Sequence, residues 1–387
     1  MSTNCQHVCN VTAPDSFLPS IPVDLLHEIL AHLDTTTIVR CTAICKLIRR
    51  AVLDPGFQHR IALRADAKEA FLLGVSYALL DSPYSNSPVI SVGQAPRQNP
   101  RFDSYLLESF KPVASRGGLV ILRPRRAESF SRPDLRVCNT LTGQTSSIPS
   151  PGTVHVEYPL ALFAVGDSGR SFKLLAADKY LRTQTFSTDD GQWGPVVKAS
   201  RPRGIAELTP FHDLGDPVVL GGTVIHWMYT SRKEVVALDI STTNAKLIKL
   251  PHRWRAEWTG EHSNWAFRLV ASADERLSLL VAEWDVISMW TLSETEWTRQ
   301  VVITKKAIGR VVGEDPSYSV PLLGFGERTG AVILQMDNIG LIHVNLASKE
   351  ARILRCCEFD QQDVTGFIEM CVHEIDLSSV LQAMRPF

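Results

Sequence analysis

The chain has 387 residues, of which 44% are hydrophobic and 21% charged; this is enough for two packed domains and argues against wholesale disorder. Lys and Arg number 40 against 41 Asp and Glu, so the net charge of -1 leaves no basic footprint for nucleic acid or an acidic membrane. No run approaches the roughly 18 to 20 apolar residues that cross a bilayer.

Residues 1–17, MSTNCQHVCNVTAPDSF, lack the basic start and apolar run of a secretory signal and read as a flexible tail. The eight cysteines are scattered, as expected for free thiols in a reducing compartment. Cys5 and Cys9, like Cys41 and Cys45, stand four apart, but no histidine or cysteine pair completes a zinc set. No metal or cofactor is expected.

Residues 18–60 read as a small helical domain. Leu25, Leu26, Ile29, Leu30 and Leu33 recur at helical spacing, and Pro22 suits the first turn, where its missing N–H costs nothing. Asp34-Thr35-Thr36-Thr37 breaks the pattern and offers N-cap oxygens for a second helix. On that helix Ile38, Cys41, Cys45, Ile48 and Val52 share a face, and Pro55 ends it before a short turn at Phe57. A segment of about 40 residues cannot bury both apolar faces by itself, so a partner surface is expected.

The order Pro22, Asp24-Leu25-Leu26, Glu28-Ile29-Leu30, Leu33, Arg40-Cys41, Cys45-Lys46, Arg49, Pro55, Phe57 resembles an F-box. Asp34 stands where that family usually has Pro, and Ile48 where it usually has Trp. The resemblance implies docking on a Skp-type adaptor, and through it on a cullin ubiquitin ligase in the cytoplasm or nucleus. It makes Ile21, Pro22, Leu25, Leu26, Ile29, Leu30, Leu33, Ile38, Val39, Cys41, Cys45 and Ile48 the candidate adaptor-binding residues.

Residues 61–70 read as a helical junction, and residues 71–387 as a strand-rich domain. Phe71 to Leu80 is a compact apolar run and Pro88 to Val92 a short strand; Leu119 to Leu122 is a buried strand after Gly117-Gly118. From Asp134 onward one phrase returns loosely, a strand, a polar turn and a strand. Taking Leu141, Ser187, Ser241, Ser293 and Ala347 as markers, the spacings are 46, 54, 52 and 54 residues. A second hairpin precedes each of the later phrases, as at Val218-Val219-Leu220 and Val224 to Trp227 around Gly221-Gly222. A period near 50 with four strands per unit is that of a β-propeller blade. Five units span about residues 115–355, and the segments near 71–92 and 365–377 are left to pair into one more blade, for about six in all. Val137 to Gly143 carries a weaker resemblance to the kelch-like, F-box-associated β domains of plant F-box proteins. The expected fold class is α+β multidomain, a helical F-box followed by an all-β propeller-like domain.

All eight tryptophans lie at 193 or later. Trp193 and Trp297 follow the turn in their repeats and read as blade packing. The polar stretch PHRWRAEWTGEHSNW supplies Arg253, Trp254, Arg255, Trp258 and Trp265 as candidate target-binding residues, since exposed aromatics with Arg suit protein interfaces; the alternative is that they fold back over the blades.

Catalytic patterns are poor: there is no G-x-S-x-G, no H-E-x-x-H and no phosphate loop. Gly324-Phe325-Gly326 with Gly330 superficially resembles a dinucleotide fingerprint, but it lies between two strands and reads as a hairpin turn. The expected role is that of a non-catalytic adaptor that holds an unidentified target protein, with neither nucleic acid nor membrane as partner. A hydrolase-like propeller enzyme, with paired acids in a central channel, and an F-box scaffold that transfers no ubiquitin are the alternatives.

Overall fold

A computed structural model describes residues 21–33, 37–38, 41, 46–62, 70–80, 90–95, 102–125, 134–140, 142–152, 160–165, 171–178, 180–200, 217–229, 234–251, 267–272, 274–312, 320–336, 340–354 and 367–376. Two compact units divide the chain after Ala67. The first holds helices α1 (Val23–Ala31), α2 (Lys46–Val52) and α3 (Pro55–Ala62).

The second unit opens with β1 (Ala70–Leu80), β2 (Ile90–Ala95) and a one-turn helix α4 (Leu106–Ser109). Antiparallel blades follow. The first contains β3 (Phe110–Arg116), β4 (Leu119–Pro124), β5 (Leu135–Asn139) and β6 (Thr145–Ile148). The second contains β7 (Leu160–Val165), β8 (Phe172–Ala177) and β9 (Arg182–Ser187), with β10 (Gln192–Trp193) and β11 (Val197–Lys198) both paired to β9 as a split outer strand. The third has β12 (Val218–Leu220), β13 (Val224–Tyr229), β14 (Glu234–Asp239) and β15 (Asn244–Lys249). The fourth has β16 (Phe267–Ala271), β17 (Leu277–Ala282), β18 (Val286–Ser293) and β19 (Glu296–Thr304), followed by helix α5 (Lys305–Val312). The fifth has β20 (Leu322–Phe325), β21 (Ala331–Met336), β22 (Gly340–Asn345) and β23 (Ala351–Leu354), and β24 (Phe367–Asp376) ends the described chain.

The blades form a propeller because their inner strands have two apolar faces to bury. Leu277 to Ala282 is buried at every position, and successive side chains go to opposite neighbours: Leu279 and Val281 to the third blade, Leu280 and Ala282 to the fifth. The same division repeats at the other junctions, so each pair of adjacent sheets shares one apolar cluster. First strands touch in the order β3, β7, β12, β16, β20, then β24, and β24 returns to β3.

Where about six blades were expected, the described residues show five blades of four strands and a three-stranded sheet, β2-β1-β24, between the fifth and the first. The two chain ends do pair: β1 meets β24 antiparallel from Ala70↔Asp376 to Leu80↔Phe367, with a bulge between Leu72 and Gly74. The closing sheet is built from separated pieces of chain and shows three strands rather than the four of each internal repeat.

The repeated phrase is a side-chain-capped turn. Asn139 accepts from Thr142 N (3.1 Å), Asp239 from Ser241 N (2.9 Å) and Asn345 from Ala347 N (2.9 Å) through their Oδ1 atoms, which mimics a backbone turn. In the second blade Asp189 N donates to Ser187 Oγ (3.2 Å), and four residues after Asn139 and Ser187 the glycines Gly143 and Gly191 sit at φ 73° and 67°, a region disfavoured for most side chains.

The two repeat-matched tryptophans join blades. Trp193 Nε1 donates to Pro149 O of the first blade (2.6 Å), and Trp297 Nε1 donates to Lys249 O of the third (2.8 Å). Trp193→Phe and Trp297→Phe keep an aromatic ring but lose the pyrrole ring with its N–H, so each is expected to cost about 1 to 2 kcal/mol in urea denaturation.

The closing sheet buries His373, whose Nε2 shares a 2.8 Å hydrogen bond with Ser76 Oγ beside the Phe102 ring. Burial holds His373 down at about 3, and His226 on β13 down at about 4. Both are neutral in the folded chain, so only the unfolded chain takes up protons as pH falls below 6.5. Stability is therefore complete above pH 6.5 and falls below it, by about 1.4 kcal/mol per pH unit for each histidine. Urea midpoints between pH 7 and pH 5 test this, and His373→Gln is expected to flatten the profile by one histidine's share.

Candidate docking site

The helical unit has a small interior of its own. Leu26 and Leu30 of α1 are buried together with Ile38, Ala51 and Val52, and with Phe57 and Ile61 of α3. Polar ties fix α1 over the other two helices. His27 Nε2 lies 3.0 Å from Ala51 O and its ring stacks 5.0 Å from the Phe57 ring. Glu28 accepts two hydrogen bonds from the Arg60 guanidinium, at 2.6 and 3.0 Å, in the planar fork that suits a carboxylate. Those bonds and the adjacent positive charge hold the Glu28 carboxyl below its usual range. Asp54 Oδ1 accepts from Phe57 N at 3.0 Å and so caps the start of α3.

This packing splits the apolar stripe of α1. Leu25 (53% exposed) and Ile29 (46%) stand one turn apart on the open side, with Ile21, Val23 and Leu47 also exposed. Pro22 is exposed; Leu33, Cys41 and Ile48 are half-buried; Val39 and Cys45 lie outside the described residues. The sequence reading placed Leu26, Leu30 and Ile38 on the docking face. Instead they are buried inside the unit, so their apolar area is already withdrawn from water. Val23, in the first turn of α1, and Leu47, which precedes Ile48, are exposed as well and stand outside the candidate set.

Covering the half-exposed pair Leu25 and Ile29 would contribute on the order of 2 kcal/mol before the cost of association. Such a surface can hold a partner by non-polar contact and performs no chemistry.

Arg253, Trp254, Arg255, Trp258 and Trp265, the candidate target-binding residues, all lie outside the described residues. The pairing Phe267↔Val281 puts the β17–β18 turn at the end of the fourth blade where the chain arrives from residue 266. On that turn Trp284 is 66% exposed, which the sequence reading did not single out among the eight tryptophans. Among the described residues no group of three or more His, Cys, Asp and Glu side chains is placed to hold a metal ion. Among the described residues no helix is long and apolar enough to cross a membrane.

The split stripe predicts contrasting variants. Leu25→Asp is expected to leave the helical unit folded, with a melting shift within about 2 °C, because it changes an exposed position. Leu30→Asp puts an unpaired carboxylate into the interior and is expected to abolish the unit's helical circular dichroism.

Comparison with known proteins gives the following. A family model described as F-box-like matches residues 18–64, and one described as domain of unknown function DUF7595 matches residues 74–387. The F-box protein CPR1 of Arabidopsis thaliana is 23% identical over 380 residues, covering 87% of this chain and 85% of that protein. Among solved structures, a catalytically inactive virginiamycin B lyase from Staphylococcus aureus is 11% identical over 63% of this chain and 69% of its own, with a TM-score of 0.34. YCF48 bound to D1 peptide is 10% identical over 73% of this chain and 83% of its own, with a TM-score of 0.37. At those scores neither structure bears on what this chain does.

Proposed function

The chain belongs to the DUF7595 family, as a plant-type F-box protein with a β-propeller behind its F-box, and from that premise we propose that it is a substrate-recognition subunit of a Skp–cullin–F-box ubiquitin ligase. The observation that carries the reading is the exposure of Leu25 and Ile29, one turn apart on α1, while Leu26 and Leu30 of the same helix are buried. In this reading a Skp-type adaptor covers that face and brings in the cullin. The propeller presents a target protein from a rigid scaffold, on the side that includes the exposed Trp284. The chain itself breaks and makes no bond. Its contribution is proximity, which raises the effective concentration of target lysines beside a charged conjugating enzyme.

The reading is tested by capture of a purified Skp-type adaptor. Wild type is expected to bind it, and the double variant Leu25→Asp/Ile29→Asp to bind at least tenfold more weakly while keeping its helical signal. A folded wild type that captures no adaptor would sink the reading. Equal capture by the double variant would show that the adaptor sits elsewhere.

A further inference from the structure

The β17–β18 turn that carries Trp284 is held from both sides. Glu283, before the tryptophan, accepts from Arg299 Nε (3.0 Å), from Arg299 Nη2 and from the Ser288 hydroxyl. Its own N–H donates to Val286 O across the turn (2.8 Å). Asp285, after the tryptophan, accepts at its backbone oxygen from Lys305 N (2.8 Å), the first residue of α5. Trp284 itself is 66% exposed, so its ring stands in water on a turn whose backbone is already fixed.

Helix α5 therefore begins against this turn. Ile308 is buried in the apolar cluster shared by the fourth and fifth blades and sets the inner side of the helix. The Thr304 hydroxyl accepts from Ala307 N (3.1 Å) and caps its first turn. Lys306 and Arg310, four residues apart, are exposed on the outer side. The charges of α5 are Lys305, Lys306 and Arg310, with no acid among them. Lys305 is buried, and the Asp285 charge favours its ammonium against that burial. Among the described residues no salt bridge involves Lys306 or Arg310.

For the fold alone this arrangement is unfavourable. Like charges four apart on a helix repel, and a cation in the first turn opposes the positive end of the helix dipole, each at a cost of roughly 0.3 kcal/mol. A local conflict of this kind beside a fixed, exposed tryptophan is relieved by a partner that brings negative charge.

We propose that Trp284, Lys306 and Arg310 form a docking surface for an acidic segment of the target protein, one with two carboxylates beside an apolar side chain. The carboxylates meet Lys306, Arg310 and the positive end of α5, and the apolar side chain covers the indole. The inference rests on the substrate-receptor reading and names the chemistry of the segment that is held. Two cations are few for a nucleic-acid backbone, and the chain as a whole carries a net charge of -1.

The test is fluorescence anisotropy on the full chain. One labelled decapeptide pool alternates Asp or Glu with Leu or Phe, and a matched pool has Asn or Gln in place of the acids. The acidic pool is expected to bind, about tenfold more tightly than the amide pool. Its affinity is expected to fall about tenfold in Trp284→Ala and in Lys306→Glu/Arg310→Glu. These positions are exposed, so melting midpoints are expected to stay within about 2 °C of wild type. Should Trp284→Ala unfold the chain, the charge-reversed variant decides. No binding of the acidic pool, equal binding of the amide pool, or equal binding by the charge-reversed variant overturns the proposal. Tighter binding of a single-stranded oligothymidylate, lost in the same variants, overturns it as well. Capture of the Skp-type adaptor by these variants is expected to match wild type, so failure of the ligase reading and failure of the peptide arm are told apart.

Discussion

The antiparallel pairing of β1 with β24 is the constraint on which the propeller depends. It joins residues about 300 positions apart in sequence, at a loop-closure cost of roughly 5 kcal/mol for a chain of that length. Ten ladder pairs and the apolar clusters on either side of β24 oppose that cost. Without the pairing, the fifth and first blades would each expose the apolar face that now packs on the closing sheet. The closing sheet also concentrates the polar groups that make the join specific: Glu374 on one flank, Glu369 with Arg125 on the other, and the buried His373–Ser76 pair in the middle.

The helical unit is organised by the opposite principle. It satisfies its own interior with half of the α1 stripe and leaves the other half in water. Leu26 and Leu30 face inward because burying them withdraws their area from water, and the ties of His27 to Ala51 and of Glu28 to Arg60 accompany that rotation of α1, which leaves Leu25 and Ile29 outward. A surface of this kind is stable without a partner and gains from acquiring one.

Much of this was legible in the residue order. The near-50-residue period followed from a turn chemistry that recurs in the first, second, third and fifth blades, a capping Asn, Asp or Ser with a tight turn behind it. The pairing of the chain ends followed from leftover apolar segments at each end. Other features were not legible. Periodicity assigned all of Leu25, Leu26, Ile29, Leu30 and Leu33 to one face, because a wide stripe does not say which part meets its own core. Trp284 was indistinguishable from the packing tryptophans, since exposure depends on which neighbours arrive.

The sequence alone determined element types, repeat period and the F-box-like order of the first helices, because those rest on local spacing and turn chemistry. The tertiary structure decided which side chains are spent inside and which are offered outward, and it made a three-stranded sheet of the two chain ends. Burial and register depend on contacts between residues far apart in the chain, and no local pattern carries them.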